Sequence, residues 1–506
     1  MARPTNIWEG RLGNDNMELV VNEEAVLLVN SVIRVKKLTN NGTIKAESGA
    51  ILGKGLTNEG EVVVAVGAKT TSPSTKLGKI SYRVPENYDL AAIQQVINEA
   101  HVNNLVIGKN VTLECAAPLN LEGINLEING GSIESEGYAV TANNVTINGG
   151  DVCGVNIAGN LTVTEAATAT VCDLYVAGDV ENNGKLTLTD VVVNGTLTNE
   201  GEVEINANIC TTIGNIVNNA TLKANTDVYV ETIVLGNSAN TTIATGKTIW
   251  YSDNDPEFKQ NGTTSGSIEY YAVATKFTDD LAAAEEGDVV VMMDDQTLYD
   301  LSKIKSGVTI KGAKKDYKLT ISEDSKLEIA GNVTFENLTI VAETTDETLS
   351  NCADMLLFTG NATFKNVEFQ TVVAVAGDTR FEACTFNAGP SESYGMWIAD
   401  YGKTVNVINC AFEGKRGIHI LEAFDGYFGL SKEESAPTLN ISGTEFNINY
   451  KTAVMAGTAS TINWGEGNSY SATVLHAPVY VRSELWAGNS NYKGVIVNGC
   501  ELWYEY

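Results

Sequence analysis

Residues 180–188 read Val-Glu-Asn-Asn-Gly-Lys-Leu-Thr-Leu, residues 197–205 Leu-Thr-Asn-Glu-Gly-Glu-Val-Glu-Ile, and residues 216–224 Ile-Val-Asn-Asn-Ala-Thr-Leu-Lys-Ala. The same phrase starts 17 and then 19 residues further on, and it also occurs near the beginning, at residues 38–46 and 56–64, 18 residues apart. Ile128-Asn129-Gly130-Gly131 returns as Ile147-Asn148-Gly149-Gly150 after 19 residues. A period near 18, filled by short alternating strands and Asn/Gly turns, is too short for a helix-pair repeat and fits one coil of a β-solenoid. One coil buries only its inward Val, Ile, Leu and Phe, so it gains a continuous core and a hydrogen-bonded ladder only by stacking on others. The expected fold class is therefore all-β: a right-handed parallel β-helix.

Composition agrees. Gly is frequent at 47 and Pro scarce at 8 in 506 residues, which suits many short strands joined by tight turns. A formal charge of −30 repels phosphate backbones, so nucleic acid and anionic membranes are not expected partners. Membrane insertion is not expected either, because no run of 18 apolar residues exists and no apolar stretch of a leader follows Arg3. The eight cysteines form no CxxC pair and no zinc-like spacing, so neither metal nor other cofactor is expected. Cys384 and Cys410 fall where inward residues belong, and the cysteines as a group read as buried thiols rather than disulfides.

The open end of a coil stack needs a cap. Asp89–Ala100 has helical spacing, with Leu90, Ile93, Val96 and Ile97 on one face; Asp279–Gly287 repeats the device, with Gly287 as C-cap. Two helix-then-coil units predict two β-helical segments, each with an N-terminal capping helix, at 88–270 (ending in a polar linker, 251–266) and 271–506. Residues 1–87 precede the first helix and read as a small N-terminal β element, an attachment region by position. The second segment carries its own phrase, Phe335–Ile340, Phe364–Phe369, Phe381–Phe386, Val407–Phe412 and Ile441–Phe446. Its closing residues are 29, 17, 26 and 34 positions apart, so loops of unequal length interrupt the coils, and such insertions tend to collect on one functional face.

These phrases, with Asn or Cys before a closing aromatic and with Gly414-Lys415-Arg416-Gly417-Ile418-His419-Ile420, resemble the pectate-lyase-like β-helix superfamily. Within it, the chain is similar to the Cys- and Phe-laddered surface proteins of gut Bacteroidetes and their phages. That superfamily includes lyases, hydrolases, tailspikes and non-catalytic adhesins, so the resemblance implies fold more than activity. The Gly-His-Gly and Arg-Ile-Lys signatures of its polygalacturonase-like members do not occur here. A calcium-dependent lyase site would need Asp and Arg converging from neighbouring coils. Asp294-Asp295 is an adjacent carboxylate pair, but neighbouring strand residues point to opposite faces, which fits a solvated strand end better than the paired acids of a hydrolase.

Of the three histidines, His101 ends the first helix and His476 has no carboxylate near it in sequence. His419 lies among Lys415, Arg416, Glu422 and Asp425, about one coil after Trp397, Asp400 and Tyr401. Trp397, Asp400, Tyr401, Arg416, His419 and Asp425 form the candidate glycan site, with rings for sugar faces and charged groups for hydroxyls; no residue is assigned a catalytic role. The competing reading puts Lys415 and Arg416 in an exposed turn and Trp397 in the core. The aromatic end, Trp503-Tyr504-Glu505-Tyr506, reads as a plug for the last coil or a docking point for another subunit. The functional expectation is a non-enzymatic rod on a virion (fibre or decoration protein) or bacterial cell surface, holding a glycan or other surface receptor and forming a trimer if it is a fibre. A polysaccharide lyase or depolymerase of tailspike type is the rival.

Overall fold

A computed structural model describes residues 17–504 apart from 53–55, 71–76, 118, 136–139, 208–209, 253–260, 274, 324–326, 345–354, 388–393, 400–401, 415, 422–435, 449–451, 472–476 and 482–493. The chain is a parallel β-solenoid of about 21 coils in two stacks.

In the first stack, one row of inward residues runs Leu126, Val145, Leu161, Val180, Leu197, Ile216, Ile233, each paired in parallel with the next. Coils thus advance by 16 to 19 residues, and the apolar side of every strand falls on a single core running from Val21 to Ile249. The Asn of the repeated phrase also points inward. Asn182, Asn199 and Asn218 are fully buried, and each Nδ2 donates to the next side-chain oxygen, at 2.8 Å, 2.7 Å and finally 3.1 Å to Thr241. Asn40 and Asn58 repeat this at 2.7 Å. A buried amide is tolerable only when its partners are supplied, and stacking identical coils supplies them.

Helix α1 (Leu90–Ala100) starts at Asp89, whose carboxylate accepts from the Ala91 N–H, and ends at His101 in the left-handed region (φ 51°). It does not mark the start of the stack. The strand Leu77–Val84 before it pairs directly with Asn104–Gly108 after it, and strands from Glu18–Val21 onward lie in the same ladder. The described residues among 17–87 are therefore coils of the first stack, not a separate element. α1 forms one side of a coil, burying Ile93, Val96, Ile97 and Ala100 in the shared core. At the other end, Thr263–Ser265 and Ser267–Tyr270 pair as a last coil, so part of the expected linker is ladder.

The second stack begins with α2 (Lys276–Ala283), whose C-cap is Ala284; Gly287, expected in that role, instead takes φ +92° in the turn beyond it. Its strands form three sheets. Sheet I runs from Val289–Met292 to Val495–Asn498, sheet II from Gln296–Leu298 to Ser469–Tyr470, and sheet III from Glu328–Ile329 to Leu502–Tyr504. Between sheets I and II the chain turns on one left-handed residue per coil: Asn337, Asn366, Ala383, Asn409 and Gly443, φ 52° to 57°. The aromatic phrase lands in register, Ile340, Phe369, Phe386, Phe412 and Phe446 being successive partners in sheet II. The rings of the last four stack at 5.0, 4.4 and 4.8 Å, and Trp464 extends the pile at 5.6 Å.

The two stacks lie side by side and run in opposite directions. From the first stack, Tyr175, Tyr229 and Trp250 occupy one outward row. Lys276 sits 4.6 Å over the Trp250 ring, Tyr229 meets Tyr271 edge-on at 6.1 Å, and Glu231 pairs with Lys314 and accepts from the Tyr317 hydroxyl. Going backwards along the first stack is going forwards along the second. Tyr271, Val291, Met293, Ala313 and Cys210 fill the apolar seam between them.

The cysteines divide. Cys115, Cys384 and Cys410 are buried thiols in the cores and Cys210 is buried in the seam, as expected for inert apolar packing. Cys153 and Cys172 contradict the thiol reading, forming a disulfide between adjacent coils with Cα atoms 4.6 Å apart. They are register partners in half-buried positions, a geometry two outward side chains on neighbouring coils meet automatically.

Candidate functional site

Sheet III positions the candidate residues by strand alternation. Val373, Val375, Met396, Ile398, Ile418, Ile420, Val454, Ala456, Val479 and Val481 point into the core. The residues between them form an outward row, Ala374, Trp397, His419, Met455, Tyr480 and Trp503, each the register partner of the next. Four coil steps of about 4.8 Å separate Trp397 from Trp503, a strip of roughly 19 Å. Trp397, Met455, Tyr480 and Trp503 are half-buried, and His419 is 8% exposed.

Side chains at the strand starts flank this row. Tyr394 lies 4.6 Å from the His419 ring and its hydroxyl donates to Met455 Sδ at 2.7 Å, while the Arg416 guanidinium stands 5.2 Å over the Tyr394 ring. Trp397 meets His419 edge-on at 5.9 Å, and Tyr480 meets Trp503 at 5.0 Å. Gly417, between Arg416 and Ile418, lets this strand pack closely on the next coil and the core, since a Cβ there would fall 2.2 Å from the Ala453 carbonyl oxygen and 3.0 Å from the Phe446 ring. The result is a ribbon of ring faces and edges with one guanidinium at its margin.

Sequence reasoning grouped six residues. The structure brings Trp397, Arg416 and His419 together and points Trp397 outward instead of into the core; Asp400, Tyr401 and Asp425 lie outside the described residues, as do Lys415, Glu422 and His476. Met455, Tyr480 and Trp503 of the row, and Tyr394 beside it, were missed. Their only sequence signal is alternation beside inward Val and Ile, and unequal coil lengths hide the register. The long connections, 345–354, 388–393, 422–437, 471–478 and 482–494, each join a strand of sheet III to a strand of a neighbouring sheet, and most of their residues lie outside the described ones.

Elsewhere, the Asp294 carboxylate accepts from the Asp295 N–H and Asp295 from the Lys318 N–H, both at 2.8 Å, which is turn-building chemistry. Among the described residues no three His, Cys, Asp or Glu side chains gather as a metal site, and no helix is long and apolar enough to cross a membrane. Comparisons with protein-family models, with curated proteins and with solved structures returned no match to this chain.

Proposed function

We propose that this protein is a non-enzymatic recognition rod of a virion or bacterial cell surface, holding a glycan against the outer face of sheet III. The observation that carries this reading is the row Trp397, His419, Met455, Tyr480, Trp503. Aromatic and thioether surfaces stack on the C–H faces of sugar rings, and the rise of one coil is close to the length of one pyranose in an extended chain. A disulfide between coils supports an oxidising, extracellular setting.

His419 within the row and Arg416 at its margin favour a second reading, a lyase or depolymerase working in the same place. One experiment separates them. The purified protein is incubated with a panel of capsular and gut polysaccharides, and both retention and chain length are recorded. Retention without shortening is expected, weakened about tenfold by Trp397→Ala, the equivalent of one stacking contact of ~1.4 kcal/mol. Shortened chains, with Arg416→Ala or His419→Ala abolishing the shortening, would overturn the non-enzymatic reading.

A further inference from the structure

Sheet I carries a different kind of surface. Its outward row is Thr334, Thr363, Arg380, Asn406, successive register partners. Parallel to it, at the edge where the chain enters from sheet III, runs a row of turn residues, Asn332, Asn361, Asp378 and Thr404. Each of the first three turns its side-chain oxygen onto the backbone N–H of the next, at 3.0, 3.0 and 2.8 Å. These bonds hold the turn row upright. Between the rows lies a trough of about 590 Å³, with Gly307 at one end and Asn406 at the other. The trough is shallow and open along its length, a shape that would leave one side of an extended ligand in solvent.

The lining mixes threonine hydroxyls and asparagine amides with apolar surface that includes Val333 and Ala362, and it holds one cation and one anion. Arg380 is committed to Glu382, its Nε and Nη2 donating to Oε2 at 3.2 and 3.1 Å, and Asp378 stands across from it. The trough therefore has no net charge to offer an anion, and a chain of −30 repels polyanions from a distance. At its far end the Asn406 carbonyl is taken by Asn440 Nδ2 at 2.9 Å, the first step of an amide ladder through Asn463 to Asn498. The same amide's N–H groups are the donors that end of the trough offers.

We propose that this trough is a second, separate binding site for a short neutral oligosaccharide, recognised by hydrogen bonds rather than by stacking. It shares no residue with the sheet III row and stands whether or not that row binds a glycan. The ligand is elongated along the solenoid axis, uncharged, and dense in hydroxyls that alternate as donors and acceptors.

The test is titration of the full chain with maltohexaose, cellohexaose and mannohexaose, with oligogalacturonate as the charged control, followed by calorimetry and ligand-observed NMR. At least one neutral hexaose is expected to bind, and Thr363→Arg, which fills the middle of the trough, is expected to remove that binding. Thr363→Val keeps a β-branched side chain and the fold but deletes the hydroxyl, and should weaken binding three- to tenfold. Trp397→Ala should leave this binding unchanged. No neutral hexaose bound, or binding indifferent to both Thr363 variants, would overturn the proposal. So would preference for oligogalacturonate, or binding lost with Trp397→Ala alone, which would assign the ligand to sheet III.

Discussion

The two stacks obey the same geometry and differ in what fills it. In the first, coils of 16 to 23 residues bring like groups into register, and the interior holds aliphatic side chains with a buried amide ladder. In the second, successive partners in sheet I lie 29, 17, 26, 34, 23 and 35 residues apart, from Val333 through Ala362, Thr379, Val405, Leu439 and Ile462 to Val497. Its interior is a pile of phenylalanines. Connections of unequal length are compatible with either filling, since the second stack carries its own amide ladder, Asn406 to Asn498, across coils of 34, 23 and 35 residues; the difference is burial, because a sealed amide needs a partner from every coil whereas a buried ring needs only a flat neighbour. The second stack accommodates coils of unequal length around one continuous core.

Truncating the ring pile should have the largest effect on this contrast. Phe381 is fully buried, stacked 4.8 Å on Phe364 and edge-on to Phe369 and Phe386. Phe381→Ala should cost about 3–5 kcal/mol, seen in denaturant unfolding as an early transition of the second stack with the first intact. Asn199→Ala should cost about 2–3 kcal/mol, because it removes one bond each from the buried Asn182 and Asn218 amides and takes the Asn199 side chain away from the Gly201 N–H and the Thr221 carbonyl. The matching change on the half-exposed ladder of the second stack, Asn440→Ala, should cost under about 1 kcal/mol, water replacing the lost partners. Equal costs would mean that both ladders do the same work.

The seam between the stacks should respond to alkali. Burial holds the phenols of Tyr229, Tyr271 and Tyr317 above the ordinary tyrosine range, and Tyr317 is held up further by Glu231. A phenol raised in the folded state contributes stability that is intact below about pH 10 and lost as pH climbs towards the folded value, by up to ~1.4 kcal/mol per pH unit for each group. Above pH 10, tryptophan fluorescence should report the seam opening around Trp250 while the far-ultraviolet dichroism of the ladders persists. Tyr317→Phe should move that onset upward. The smallest effect is a gain: Ala383 holds φ 53° where its counterparts are mostly Asn, so Ala383→Asn should stabilise the second stack by about 1 kcal/mol, read as a raised melting temperature.

Much of this was legible in the sequence, for reasons that particular residues show. The spacing of Phe369, Phe386, Phe412 and Phe446 gives the register of sheet II directly, because a closing aromatic marks one position per coil. The Asn of the repeated phrase reads in sequence as a turn residue, and that Asn182, Asn199 and Asn218 instead point inward shows only once the coils are stacked. The place of α1 was not legible, since a buried face of Ile93, Val96 and Ile97 fits the side of a coil as well as its end. The seam was hidden too: Tyr229 and Trp250 each look like an ordinary outward residue until the second stack lies against them. Trp397, Arg416 and His419 could be found because they are close in sequence, but Tyr480 and Trp503 join their row only through register.

Coil length also sets how the molecule would yield to a pull along its axis. A solenoid drawn from one end surrenders its coils in order, and each first-stack coil of about 18 residues pays out roughly 60 Å of chain. The trace of force against extension from that stack would be a sawtooth of even teeth. From the second stack the teeth would be uneven, spaced by the 17 to 35 residues of each turn, so a single stretched molecule would record its loop lengths as a barcode.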